Sequence, residues 1–420
     1  MKKMKKTKKN NIVNNTIMLM IFNIAKIVFP FITLPYLTRV LTTDTYGVVT
    51  YVKTVMTYMQ IFVDFGFVLS ATKDIVKIKN NKEAVNRVTG DTLAARVILG
   101  LVGFLVIIVL SIAIPILREN ILYTILSYSV VFGTIFLMDF LFRGIEKMHI
   151  ITIRFIVMKV ISTVLTFIFV KDDSNLLLIP LFDIASSIIA IILVFLEMKK
   201  LEIKMKFSGF KNAIKSIKDS FIYFLSNAAS TSFNALSTII IGIYLSKADV
   251  AFWGICIQVI GTIQACYSPI SDGIYPEMIR SKDLSIVKKI LKIFIPVIIL
   301  GCIIGYFLTE TGLRILGGEE YVQAAPVFKI LIPVLLTGFL SIIFGWPTLG
   351  AIDKAKQVTI STVIGVIANI AMLGLLIVIN QFNLISIAIV RNITELVLFG
   401  TRFYFFNKNK KMFNKQTNNK

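Results

Sequence analysis

The chain has 420 residues, 56% of them hydrophobic, and carries 45 Lys and Arg against 23 Asp and Glu for a net charge of +22. A water-facing surface cannot accommodate that much apolar side chain, so lipid is the solvent for most of it. Nucleic acid is not an expected partner, because the basic residues are distributed as in a membrane topology. Apolar stretches of roughly 18 to 25 residues recur, each able to cross about 30 Å of hydrocarbon. The first expected span, Asn14 to Thr38, follows a run of lysines from Lys2 to Lys9. It is too long for a signal peptide and no small-residue cleavage site follows, so it is expected to remain. Tyr46 to Ser70, Leu93 to Ile114, Ile121 to Phe142, Thr152 to Val170 and Leu176 to Leu196 complete a first set of six. After a Lys-rich connection, Glu197 to Asp219, come Ser220 to Leu245, Phe252 to Tyr275, Ile290 to Leu308, Val327 to Leu349, Val358 to Val378 and Leu384 to Tyr404.

With an inside N-terminus, thirty-four of the 45 basic residues fall on inside segments, and five (Arg39, Arg118, Lys171, Lys247, Arg314) on outside loops. That bias obeys the positive-inside rule at every loop and predicts cytoplasmic N and C termini. Anionic headgroups of the inner leaflet suffice as partners for the basic loops. The expected fold is an all-α polytopic membrane protein of about twelve transmembrane helices in two six-helix bundles, 1–206 and 207–420. A shift near 207 residues pairs Gly66 with Gly273, Lys73 with Arg280, Lys147 with Lys354 and Thr152-Ile153 with Thr359-Ile360. A constant offset across several spans predicts internal duplication, and an even number of spans makes the repeats parallel, about a pseudo-twofold axis along the membrane normal.

Ionisable groups within spans are costly and usually face the bundle interior or a water-filled cavity. Thr50, Lys53, Thr57, Gln60 and Asp64 follow one another at steps of 3, 4, 3 and 4, one stripe of a helix. Asn23, Lys26 and Thr33 share a face with Pro30, and Lys26 lies about 18 Å of helix from the inner end, too deep to snorkel easily. Asn227, Thr231, Asn234 and Thr238 form a stripe on the seventh span; Gln258, Thr262 and Asp272 lie on the eighth. The candidate cavity is therefore built from Lys26, Lys53, Asn23, Thr57, Gln60, Asn227, Asn234 and Gln258, with the deeper charges Lys159 and Arg391. Asp64 and Asp272 are candidate coupling carboxylates. Asp139 with Arg143, and Arg391 with Glu395, are spaced to neutralise each other at i,i+4. Arg96 and Lys329 lie near span ends and are expected to snorkel.

Catalysis is not expected. No Gly-rich phosphate loop precedes a Lys-Ser pair, and the longest outside loop, Thr309 to Ala325, leaves little room for an external active site. The single His149 reads as a surface residue, and Cys256, Cys266 and Cys302 have neither metal-ligand nor redox spacing. No metal or cofactor is called for.

Leu34-Pro35-Tyr36-Leu37-Thr38-Arg39-Val40-Leu41 with Tyr46-Gly47, and Asp139-Phe140-Leu141-Phe142-Arg143-Gly144-Ile145-Glu146-Lys147-Met148, resemble segments of the Wzx-type oligosaccharide flippases. That polysaccharide transporter family belongs to the superfamily of lipid II flippases and multidrug exporters. The resemblance implies alternating access between two six-helix bundles in the bacterial cytoplasmic membrane, and a cationic cavity. It implies a polyprenyl-pyrophosphate-linked oligosaccharide as substrate, for O-antigen, capsule or a related surface polysaccharide. Polysaccharide polymerase machinery and a coupling cation are the further partners it suggests. By the same resemblance Lys26 and Lys53 stand where related flippases carry basic cavity residues, although Lys lacks the planar fork that Arg offers a phosphate. The alternative is a cation-coupled multidrug or small-molecule exporter of the same superfamily, which would favour a carboxylate-dominated cavity.

Overall fold

The structure, a computed structural model, describes residues 2–413; the side chains at 2–13, 226, 229, 230 and 232–234 are outside the described set. Regular structure among the described residues is entirely helical. Among the described residues ten helices are long and apolar enough to cross a membrane, or eleven if Glu319–Leu331 and Pro333–Ile343, bent by 44°, form one span. The expected seventh span falls in the 35-residue helix Phe210–Tyr244. The apolar core window of Leu284–Phe307 is 0% buried, a surface that suits hydrocarbon and that water would drive to aggregate. The chain is an all-α, multi-pass membrane protein.

Its contacts divide it into two compact units, Met1–Ala228 and Ala229–Lys420. In the first are α1 (Lys2–Val40), α2 (Thr43–Asp64), α3 (Phe67–Ile78), α4 (Lys82–Ala113), α5 (Pro115–Glu119), α6 (Ile121–Gly133), α7 (Asp139–Gly144), α8 (Met148–Phe169), α9 (Leu178–Lys200) and the start of α10 (Phe210–Tyr244). Two of the expected continuous spans are broken. Between α2 and α3 the backbone turns through Phe65 (φ 41°) and Gly66 (φ 78°). A Cβ on Gly66 would stand 2.5 Å from Tyr223 Cβ of α10, so glycine provides both the left-handed conformation and the close approach. Phe65 stacks on Phe224 with centroids 4.4 Å apart, and the Ser70 and Ser220 hydroxyls lie 2.6 Å apart. These contacts attach the first half of α10 to this unit.

Between α6 and α7, a 3-10 turn (Thr134–Leu137) and Met138 at φ 55° interrupt the helical ladder. Carbonyls freed at such a break need donors in a lipid environment. Two arginines supply them. Arg96 Nη1 donates to Ile135 O at 3.0 Å and Arg154 Nη1 to Leu137 O at 2.6 Å. The expectation that Arg96 snorkels is thus wrong: its side chain is 4% exposed and its other terminal nitrogen meets Asp64 at 2.6 Å.

The LPYLTRVL segment ends α1 against α8. Its Tyr36 hydroxyl lies 2.8 Å from Phe167 O and 2.7 Å from Val170 O, and Thr42 Oγ1 donates to Asp173 at 2.6 Å. At the other end of the unit an extended strap, residues 203–208, crosses the start of α4. Lys204 and Lys206 donate their N–H groups to the side chain and carbonyl of Asn86 at 2.9 and 3.0 Å, and Ser208 N–H to Asp91 Oδ1 at 2.7 Å. Lys206 pairs with Glu83 at 2.9 Å, and Lys82 pairs with Glu202.

The second unit continues with α11 (Lys247–Ala265), α12 (Ser268–Ser281), α13 (Leu284–Phe307), α14 (Thr309–Gly317), α15 (Ala325–Leu331), α16 (Pro333–Ile343), α17 (Ala355–Val378) and α18 (Leu384–Asn409). The expected outside loop from Thr309 is helical. Within it Arg314 Nε pairs with Glu319 at 2.6 Å; Lys329, expected to snorkel, meets Glu310 at 2.9 Å. The core gathers Phe339, Phe344 and Phe406, beside which Arg402 ties three helices together: Nη1 donates to Ser341 O at 2.6 Å and Nε to Ser361 Oγ at 3.2 Å.

The offset read in the sequence recurs in backbone detail. Lys147 N–H bonds Phe142 O at 2.8 Å after Glu146 at φ 60°; Lys354 N–H bonds Leu349 O at 2.9 Å after Asp353 at φ 62°. α8 and α17 start at the same step beyond those lysines. The match of Gly66 with Gly273 does not hold structurally, since the second helix pair breaks between Ala265 and Ser268 and Gly273 lies within α12.

Candidate functional site: a charged cavity in the first unit

Lys53 sits near the middle of α2, where the 3-and-4 stripe of polar residues keeps it off the apolar face. Lys159 and Ser162 are three residues apart on α8, and so project on the same side. Together with Asp183 of α9, Thr33 of α1 and Tyr123 of α6, these three line a cavity of about 350 Å³ within the first unit, room for about ten waters. Ser127, Thr163 and Thr166 add further hydroxyls to the lining, and the rest of the wall is apolar. Asp183 Oδ1 accepts from Ser162 Oγ at 2.7 Å and from Lys159 Nζ at 3.3 Å. Lys53 lies within electrostatic reach of Lys159 and Asp183, yet among the described residues it has no carboxylate at ion-pair distance. Two lysines face one aspartate, so at the ordinary protonation states of these side chains the cavity has a formal charge of about +1. Pro30 of α1 also lines it; lacking an N–H, it leaves the Lys26 carbonyl without its helical donor.

A second charged network lies at the Asp64 end of α2. Gln60 Nε2 donates to Asp64 Oδ2 at 2.9 Å and approaches Thr134 Oγ1 at 3.0 Å, beside the Arg96 pair. Arg154 Nη2 meets Asp139 Oδ1 at 2.6 Å. The expected Asp139–Arg143 neutralisation is therefore replaced by a pair between helices. Arg154 is 4% exposed and Arg143 only half-buried, so of these two Arg154 is the guanidinium that more needs a counter-charge. Asp64, a candidate coupling carboxylate, is engaged in the same manner. Lys26 lies within electrostatic reach of Asp139, Arg143 and Asp64, with its Nζ 4.5 Å from the Phe22 ring centroid.

The remaining expected site residues are dispersed. Asn23 and Thr57 are exposed, the Thr57 hydroxyl donating to Lys53 O at 2.9 Å. Asn227 is exposed on α10, and the Asn234 side chain lies outside the described residues. In the second unit, Gln258 is half-buried on α11, Asp272 is exposed on α12, and Arg391 pairs with Glu395 at 3.2 Å, both buried, as the spacing predicts. The structure thus brings Lys53 together with Lys159, and Gln60 with Asp64. Sequence reasoning missed Asp183, Ser162 and Tyr123. Asp183 did carry a signal, being the lone acid in the apolar stretch Leu176 to Leu196.

Helices of membrane-spanning length, breaks capped by buried ion pairs and a polar cavity within one helical unit are the construction of a membrane transporter. Residues 12–282 match the polysaccharide biosynthesis protein family, and the chain belongs to that family. A relative from Escherichia coli (strain K12), named "Putative O-antigen transporter", is 25% identical over 346 residues, 81% of this chain and 83% of its own. The fold is similar to the inward closed conformation of the lipid II flippase MurJ, with a TM-score of 0.69 at 13% identity over 96% of this chain and 89% of that one. It is also similar to an inward-facing multidrug resistance MATE family transporter of the MOP superfamily, with a TM-score of 0.64 at 13% identity over 93% and 95%. At those identities the likeness shows the fold alone.

Proposed function

We propose that this protein moves a polyprenyl-pyrophosphate-linked oligosaccharide from the inner to the outer leaflet of the bacterial cytoplasmic membrane by alternating access, for assembly of a surface polysaccharide. The observation that carries the reading is the pair Lys53 and Lys159 in one cavity of a membrane-spanning unit. A pyrophosphate bearing about two negative charges cannot enter hydrocarbon unaided, because desolvation of an ion costs tens of kcal/mol. An ammonium at about 4 Å returns about 4 kcal/mol per charge pair at an effective dielectric constant near 20. Hydroxyls of Thr33, Ser162 and Tyr123 add hydrogen-bonding groups that both donate and accept. The lipid tail has no need to enter a cavity of this size and would remain in the bilayer.

In the expected orientation an inside-negative potential favours outward movement of the anion by about 2.3 kcal/mol per charge per 100 mV. A coupling cation and contact with polymerase machinery belong to this reading as further proposals. The role is that of a transporter and not of an enzyme. A multidrug exporter is less well supported, since the cavity's net positive charge repels an organic cation.

The test deletes the gene, restores it as wild type, Lys53→Ala or Lys159→Ala, and measures lipid-linked oligosaccharide by leaflet-selective labelling. Both variants are expected to leave the glycan lipid in the inner leaflet while the protein still inserts. Normal surface polysaccharide in both, or lost resistance to cationic dyes with unchanged glycan lipid, would overturn the reading.

A further inference from the structure

Among the described residues, the three interhelical ion pairs of the first unit are not alike. Arg96–Asp64 and Arg154–Asp139 are 2.6 Å contacts of guanidiniums 4% exposed, each also bonded to a carbonyl of the α6–α7 break. They hold the backbone. Lys159–Asp183 is longer, at 3.3 Å, with side chains 33% and 27% exposed, and it faces the cavity. One oxygen, Oδ1, accepts from both Lys159 and Ser162; among the described residues Oδ2 has no hydrogen-bond partner. Lys159 makes no other bond there. An ammonium with three rotatable donors can turn from one anion to another without dismantling a planar fork. If Lys159 turns away, Ser162 still holds the carboxylate at 2.7 Å.

We propose that Asp183 is a built-in counter-ion: it occupies Lys159 while the cavity is empty, competes with an incoming diphosphate for that ammonium, and so sets how tightly the anion is held and how readily it leaves. This rests on the reading of the same cavity as a diphosphate site. The charges that face one another there are Lys53 on α2, Lys159 on α8 and Asp183 on α9. With Asp183 ionised the empty cavity is near +1, and a diphosphate makes it near −1, a state that favours departure. Without the carboxylate the cavity is near +2 and an anion of −2 is neutralised. Asp183 therefore trades affinity for release and is a positioning residue acting through Lys159. The return of the carboxylate to Lys159 accompanies emptying.

The experiment uses the full chain in nanodiscs and farnesyl diphosphate, a short-tailed probe that carries the diphosphate with its terminal phosphate free, and so one ionisable oxygen more than the sugar-linked lipid. Binding is measured alongside in-cell export. Asp183→Asn is expected to bind at least tenfold more tightly than wild type and to export more slowly, whereas Asp183→Glu stays within about threefold in both. The double variant Lys159→Gln with Asp183→Asn keeps Lys53 alone and is expected to lose the gain. Ser162→Ala, which leaves the carboxylate dependent on Lys159, is expected to weaken binding severalfold; it supplies the test should Asp183→Asn fail to fold. A folded Asp183→Asn protein that binds no more tightly than wild type, or Ser162→Ala with unchanged binding, would overturn the counter-ion role. If wild type binds the probe, Lys53→Ala does not and Asp183→Asn is no tighter, only this inference falls. If wild type itself does not bind it, the diphosphate reading falls first.

Discussion

Asp64→Asn removes the counter-charge of a guanidinium whose side chain is 4% exposed. Breaking a buried pair by removing one partner costs about 3 to 5 kcal/mol. The amide oxygen still accepts one hydrogen bond, which recovers about 1 kcal/mol, leaving a loss of about 2 to 4 kcal/mol. For a unit of this size a loss of 1 kcal/mol lowers the unfolding midpoint by about 2 to 4 °C, so a drop of about 4 to 16 °C is expected. The assay heats the detergent-solubilised protein at one scan rate for every variant, so that the midpoints are comparable, and follows the folded fraction by size exclusion. Asp272→Asn, at an exposed carboxylate, is the control and should change stability by no more than about 0.5 kcal/mol. The paired replacement Asp64→Leu with Arg96→Met should recover most of the loss, because an apolar pair avoids desolvation. It should stay short of wild type by the Ile135 carbonyl left without its donor. If Asp64→Asn unfolded no earlier than Asp272→Asn, the pair would not be what holds the α6–α7 break.

Two further predictions concern the strap. A Cβ at residue 90 would lie 2.4 Å from the Lys206 carbonyl oxygen; Gly90→Ala should displace the strap, cost about 1 to 3 kcal/mol as overpacking, and speed hydrogen exchange at the amides of Lys204, Lys206 and Ser208. Lys82, hydrogen-bonded to Glu202, holds that carboxyl below its usual range. A carboxylate depressed in the folded state contributes above its unfolded value of about 4.3, and the contribution is lost as pH falls through the depressed folded value. Exchange of the strap amides should therefore be flat from neutral pH down to about 4.3 once corrected for intrinsic rates, and rise only below it. A rise centred near pH 7 would contradict the assignment.

Much of the architecture is legible in the sequence because lipid imposes a length and a polarity on every span. Stretches such as Leu93 to Ile114 and Thr152 to Val170 need no tertiary information to be recognised as helical and membrane-spanning; the structure carries their helices back to Lys82 and Met148. Lys53 and Lys159 could be singled out because charge within hydrocarbon is costly enough to require a reason. The i,i+4 pairing of Arg391 with Glu395 was likewise readable from spacing, since both groups lie on one helix.

Tertiary structure alone decided which charges meet across helices. Arg96 sits close enough to a span end to snorkel, but the carbonyls freed by the α6–α7 break draw it inward; that break depends on Met138 adopting a left-handed conformation that no local signal demands. Asp139 has Arg143 one turn away on its own helix and yet pairs with Arg154. Helical spacing measures which groups can reach each other, whereas burial of a guanidinium decides which one must be neutralised. Asp183 enters the cavity for the same reason: its place opposite Lys159 is set by the packing of α8 on α9, and a helix's own period carries no information about the helix packed against it.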